Sequence, residues 1–172
     1  LDKELEKRGL NFVRYADDFV IYLKSAKAAE RVMDSITKFI TNKLKLKVNE
    51  EKSAVSRPWL RKFLGFTFIS MCGQTKIRIH KKTIKRFKER IRELTDRNCG
   101  KSMAQIIRKL NQYLVGWWNY YRLSETRYIF KSLNGWIIRR LRCVLWKQWK
   151  NPRTKTRNLL KRGVFRKYAV LC

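Results

Sequence analysis

The chain has 172 residues and carries 43 Lys and Arg against 13 Asp and Glu, a formal net charge of +30. Self-repulsion on that scale opposes compaction unless a polyanion offsets it; a membrane surface is the rival polyanion, but 6 Trp, 7 Tyr and 9 Phe among the basic residues suit nucleic-acid bases and phosphates at least as well, and nucleic acid is the expected partner. No apolar run is long enough to cross a bilayer, the start has no signal-peptide layout, and Cys72, Cys99, Cys143 and Cys172 form no CxxC pair or grouping with the single His80, which excludes a zinc module and a disulfide framework and predicts a reducing compartment.

A chain of this length can bury roughly 70% of its unfolded surface, enough for one or two small cores. It opens at Leu1 with no Met, and its first strong element arrives almost at once, so we expect the C-terminal part of a longer protein.

Leu1 to Leu10 reads as the end of a helix, stopped by Gly9. Phe12 to Leu23 follows, with Asp17 and Asp18 between two runs of β-branched and aromatic residues, the pattern of a hairpin with an acidic tip. An Asp-Asp pair at a reversal is ordinary turn chemistry. Two carboxylates brought to a common point also form the natural seat of a hard cation, Mg²⁺ above all. Ser25 can cap a helix in which Val32, Met33, Ile36, Phe39 and Ile40 recur at helical spacing and would pack beneath the hairpin.

Leu46 to Ser56 alternates enough to predict a short strand and a loop. Phe63 to Ile69, a turn around Cys72-Gly73-Gln74, and Lys76 to Ile79 predict a second hairpin. The charge steps at His80. Residues 1–79 hold 17 basic against 9 acidic side chains, and residues 80–172 hold 26 against 4, a net of +22.

Beyond that step the apolar period is helical three times. Ile84, Phe87, Ile91 and Leu94 mark a helix ending around Asn98 to Gly100. Ser102 with Gln105 is a capping box opening a second, and Ser124 or Thr126 can cap a third carrying Ile129, Leu133, Ile137 and Val144. The tail from Asn151 has only weak periodicity, consistent with an extension of the bundle or a basic segment ordered on nucleic acid. The fold class is α+β.

Three stretches carry a resemblance. Tyr15-Ala16-Asp17-Asp18 resembles the acidic hairpin of reverse transcriptases; Phe63-Leu64-Gly65-Phe66 resembles their primer grip; and Leu110-Asn111 followed by Gly116-Trp117-Trp118-Asn119-Tyr120-Tyr121 resembles the maturase domain, or domain X, of the group II intron type. They stand in family order and span nearly the whole chain. The resemblance implies residues 1–79 as the C-terminal part of a polymerase palm, antiparallel strands plus a helix, residues 80–150 as an all-α three-helix thumb, and residues 151–172 as a basic C-terminal tail.

The resemblance further implies an RNA-directed DNA polymerase that also grips intron RNA, with Asp17 and Asp18 as catalytic Mg²⁺ ligands and Lys52 protonating the departing pyrophosphate. Tyr15, Phe63, Leu64 and Gly65 would meet primer or template, and Arg14 a backbone phosphate. The basic outer faces, with Arg108, Arg139, Arg140 and Arg142, and the aromatic residues Trp118 and Tyr120 would meet RNA, whereas Trp117 and Tyr121 read as core. A third family aspartate lies on an earlier strand. Asp2 is too close to serve, so the chain alone is expected to be inactive.

The implied partners are group II intron RNA, an RNA template with a DNA primer, and deoxynucleoside triphosphates, with no membrane; a homodimer stays open. The expected setting is bacterial cytoplasm, or an organelle in a eukaryote. The alternatives are a splicing maturase without polymerase activity, a reverse transcriptase domesticated from the intron type, and a general basic RNA-binding protein with an accidental Asp-Asp turn.

Overall fold

The computed structural model describes residues 1–71 and 73–169; Cys72 of the second expected turn and the last three residues of the tail, with Cys172, lie outside the described residues. Helices alternate with two antiparallel strand pairs, as the α+β class requires. The chain divides into two compact units, Leu1–Ile69 and Ser70–Cys172. The division falls some ten residues before the charge step at His80.

The first unit opens with α1 (Asp2–Lys7). Gly9 at φ +63° ends it, its N–H donating to the Glu6 carbonyl at 2.8 Å while Leu10 N–H reaches the Leu5 carbonyl at 3.1 Å, the left-handed closure that glycine permits. The predicted hairpin follows as β1 (Asn11–Tyr15) and β2 (Asp18–Tyr22), with Phe12 opposite Ile21, Val13 opposite Val20 and Tyr15 opposite Asp18.

Cross-strand partners share a face, so Phe12, Phe19 and Ile21 point one way and Val13, Tyr15 and Asp18 the other. The first face is covered by α2 (Ala26–Asn42), which opens where the Ser25 side chain accepts the Ala28 N–H at 3.2 Å. Its stripe of Val32, Ile36, Phe39 and Ile40 closes a core with Leu5 and the hairpin. Ile36 and Ile40 are buried, each stabilising the unit by about 2 kcal/mol.

The strand expected within Leu46–Ser56 does not form. Asn49 captures the chain instead: its side-chain oxygen accepts the Lys52 N–H at 3.1 Å and its carbonyl the Ser53 N–H at 3.0 Å, a local turn that outcompetes extended pairing. Only Val48 of this stretch packs on the core; Leu46 is 59% exposed. The second hairpin forms as β3 (Phe66–Met71) and β4 (Gln74–Ile79), starting three residues later than expected.

In the second unit α3 (Lys81–Leu94), α4 (Met103–Tyr121) and α5 (Arg127–Gln148) share one core of Phe87, Ile91, Leu110, Ile129, Leu133 and Ile137. The capping box is present, Ser102 accepting the Gln105 N–H at 3.3 Å and Gln105 the Ser102 N–H at 3.1 Å. Helix α3 stops at Leu94, before the expected Asn98, where the backbone of the buried Thr95 leaves the helical conformation (φ −111°, ψ 33°) and its hydroxyl donates to the Ile91 carbonyl at 2.5 Å. Thr126 holds the N-cap position of α5 but makes no side-chain cap bond; its hydroxyl shares a hydrogen bond with Ser124 at 2.9 Å, and both are buried.

The tail is more structured than its periodicity suggests. It forms α6 (Pro152–Leu160), entered through Pro152, and α7 (Arg166–Ala169). Lys155 stands 4.4 Å over the Trp146 ring and Arg162 4.9 Å over Trp149, so cations on aromatic faces do what an apolar stripe would do elsewhere. Among the described residues no helix is long and apolar enough to cross a membrane.

Candidate active site and nucleic-acid surface

The acidic tip is a two-residue reversal: Tyr15 and Asp18 close the ladder, and Ala16 and Asp17 make the turn. Ala16 takes φ +52°, a left-handed conformation that costs a non-glycine residue about 1–2 kcal/mol. Asp17 and Asp18 are both exposed, and among the described residues neither carboxylate enters an ion pair or hydrogen bond. Both therefore keep their oxygens free. The opposed Tyr15 is 65% exposed on the same face as Asp18.

Two free carboxylates on adjacent residues are hard oxygen donors suited to a divalent cation such as Mg²⁺, which keeps several waters or substrate oxygens and needs only one or two carboxylates. Among the described residues no group of three or more His, Cys, Asp or Glu gathers as a metal site. Asp2 is committed elsewhere, accepting from Arg14 at 2.7 Å. Arg14, expected to meet a phosphate, is thus paired with α1, both side chains remaining 41% exposed.

Lys52 sits in the exposed Asn49 turn, and among the described residues no contact joins its side chain to Asp17 or Asp18. The Phe63-Leu64-Gly65-Phe66 stretch is a tight turn rather than a strand interior. Phe63 and Phe66 exchange two backbone hydrogen bonds of 2.9 Å, and Leu64 (φ +50°) and Gly65 (φ +85°) occupy the two central left-handed positions of a hairpin turn. Gly65 is required there by conformation; Leu64 is strained. The buried Thr67 hydroxyl then donates to the Trp59 carbonyl at 3.2 Å, tying the preceding loop to β3.

In the second unit the aromatic signature splits as predicted. The partly buried Trp117 packs against the shared core, its ring 4.2 Å from Phe87 and 4.8 Å from the partly buried Tyr121. Trp118 and Tyr120 are about half exposed, at 50% and 49%, although each leans an edge on a neighbour, Phe130 and Tyr121 respectively. Arg108, Arg139 and Arg142 are exposed and free of ion pairs among the described residues.

Arg140 differs. It donates to the Thr95 hydroxyl at 2.7 Å and to the Thr95 carbonyl at 3.2 Å, closing the C-terminal end of α3, so its first task is structural. Burial pushes the phenols of Tyr22, Tyr113 and Tyr121 above their ordinary range; for Tyr113 the nearby Arg90 opposes that shift, and for Tyr121 a hydrogen bond with Thr83 does.

An exposed acidic hairpin on a helix-backed strand pair is thus followed by a basic helical unit with a half-exposed aromatic surface. Residues 1–68 match the family of reverse transcriptases (RNA-dependent DNA polymerases), and residues 84–163 match the maturase-specific domain of group II introns. The two in tandem make the chain a member of the group II intron-encoded reverse transcriptase/maturase family. It is similar to the group II intron-encoded protein LtrA of Lactococcus lactis subsp. cremoris, including that of strain MG1363, at 41% identity over 61 residues. That stretch is 33% of this chain and 10% of the relative's length.

Proposed function

We propose that the chain serves an RNA-directed DNA polymerase that is also an intron RNA-binding maturase, residues 1–79 forming part of the palm and residues 80–150 the thumb. The carrying observation is the Asp17–Asp18 tip: two exposed, unengaged carboxylates at the turn of a helix-backed hairpin, in a chain that also holds a maturase-specific domain.

In this reading Asp17 and Asp18 hold Mg²⁺, with Asp17 the stricter ligand. The ion, when bound, supplies charge neutralisation for in-line phosphoryl transfer. Tyr15, exposed opposite Asp18, orients the primer end, and the Leu64–Gly65 turn lies against the primer backbone. As the primer 3′-oxygen bonds to the α-phosphorus its proton passes to solvent water, the bond to pyrophosphate breaks, and Lys52 delivers a proton to the leaving group.

A maturase acting without polymerase chemistry is the second reading, favoured by the net +22 of residues 80–172. The test is primer extension on an RNA template with Mg²⁺ by the gene product containing this chain, beside its Asp17→Ala form. Extension lost in the variant, with RNA binding kept, supports the polymerase. No extension from either, with tight intron RNA binding by both, leaves the maturase alone.

A further inference from the structure

Lys81, Lys85, Lys88 and Arg92 recur along α3 at i, i+4, i+7 and i+11, which lines them along one edge of the helix. Like charges at that spacing weaken a helix, and Lys81 and Lys82 also oppose the helix dipole at the N-terminal turn, which contains no acid. Among the described residues none of the four enters an ion pair. The acid nearest the end of the ridge, Glu93, is taken by Arg90 at 2.6 Å.

The C-terminal end of this ridge converges on a single indole. Lys88 lies 5.8 Å, Arg92 5.7 Å and Arg140 5.6 Å from the centre of the Trp136 ring, so cations from two helices gather at one aromatic side chain. Trp136 leans on the shared core and Arg140 is fixed by its bonds to Thr95, which gives the cluster a rigid floor and one immobile wall. The ring gathers three cations, none of them in an ion pair among the described residues, an arrangement to which a phosphate is the complementary partner.

We infer that the α3 edge and the Trp136 cluster form a phosphodiester-binding site for structured RNA, with Lys88 and Arg92 contacting the backbone and Arg140 and Trp136 positioning them. This rests on the RNA-binding part of the function proposed above and names a place for it that no motif marks. The Trp136 ring holds the half-buried Lys88 and the exposed Arg92 side by side, whereas Arg139 and Arg142 stand over no ring among the described residues.

The test uses the full chain and a labelled stem-loop RNA, with binding measured across 0.05 to 0.3 M salt. Lys88→Gln with Arg92→Gln is compared with Lys82→Gln with Arg86→Gln, an equal change of charge on another side of α3. Each phosphate contact contributes roughly 0.7–0.9 to the slope of log affinity against log salt. The first pair should therefore lower the slope by about 1.5 and the affinity at 0.15 M salt by tenfold or more, with the helical circular dichroism unchanged. The second pair should lose much less. Equal losses from both pairs, or no loss from the first, would overturn the site while leaving RNA binding intact; absence of binding by the parent chain would overturn the maturase reading itself.

Discussion

The Glu125 carboxylate accepts the Ile77 N–H at 3.1 Å while the Glu125 N–H donates to the Ile77 carbonyl at 3.0 Å, so the loop between α4 and α5 is clasped to β4 at two points. Only one of the two bonds depends on the side chain. Glu125→Ala should cost about 1 kcal/mol of stability, and Glu125→Gln, which retains an acceptor oxygen, about half that or less. Urea denaturation of the chain checks the order; equal losses would show that charge, not the hydrogen bond, matters.

Ala16 at φ +52° carries a left-handed strain that glycine would relieve. Relief of about 1–2 kcal/mol against a chain-entropy cost of about 0.5–1 kcal/mol leaves Ala16→Gly neutral to slightly stabilising, whereas Ala16→Val, β-branched, should lose 1 kcal/mol or more. The shift in denaturation midpoint gives the sign. A valine tolerated without loss would mean that the tip is not left-handed in solution.

Trp117 and Trp118 are neighbours in sequence with opposite surroundings. Trp117→Ala removes the packing beside Phe87 and should cost about 3 kcal/mol, the low end for a buried aromatic because the ring is only partly buried. Trp118→Ala should cost about 1 kcal/mol and weaken RNA binding instead. Thermal melts and RNA titrations of the two variants separate the roles.

The phenols of Tyr113 and Tyr121 ionise less readily in the folded chain than their ordinary value of 10.0, because burial penalises the charged form. A raised folded value gives stability that is complete below the unfolded value and is lost as pH rises through the folded one. The helical unit should therefore keep its stability up to about pH 10 and lose it above. Tyr113→Phe should flatten that alkaline fall, and an unchanged pH profile would contradict the assignment.

Local signals carried most of the architecture. Ser25, Ser102 and Gly9 sit where a cap or stop must, and the stripes of α2 and α3 run at helical spacing because each buries one face against a single core. The failures have physical causes. Asn49 diverted an alternating stretch into a turn, Leu64 and Gly65 hid a reversal inside an apolar run, and α6 is held to the chain before it by Lys155 and Arg162 over indoles, a cohesion that leaves no apolar period to read. At the acidic tip, adjacency and exposure of Asp17 and Asp18 were legible; the commitment of Arg14 to Asp2 depends on α1 folding back and was not.

Arg140 closes a helix end and also borders a cationic cluster. A genetic screen scored by splicing would flag it as strongly as any contact residue, because one substitution both slackens the scaffold and thins the positive surface. Such pleiotropy makes it a poor marker of the RNA footprint, and Arg139, one position away and unencumbered, the cleaner one to map.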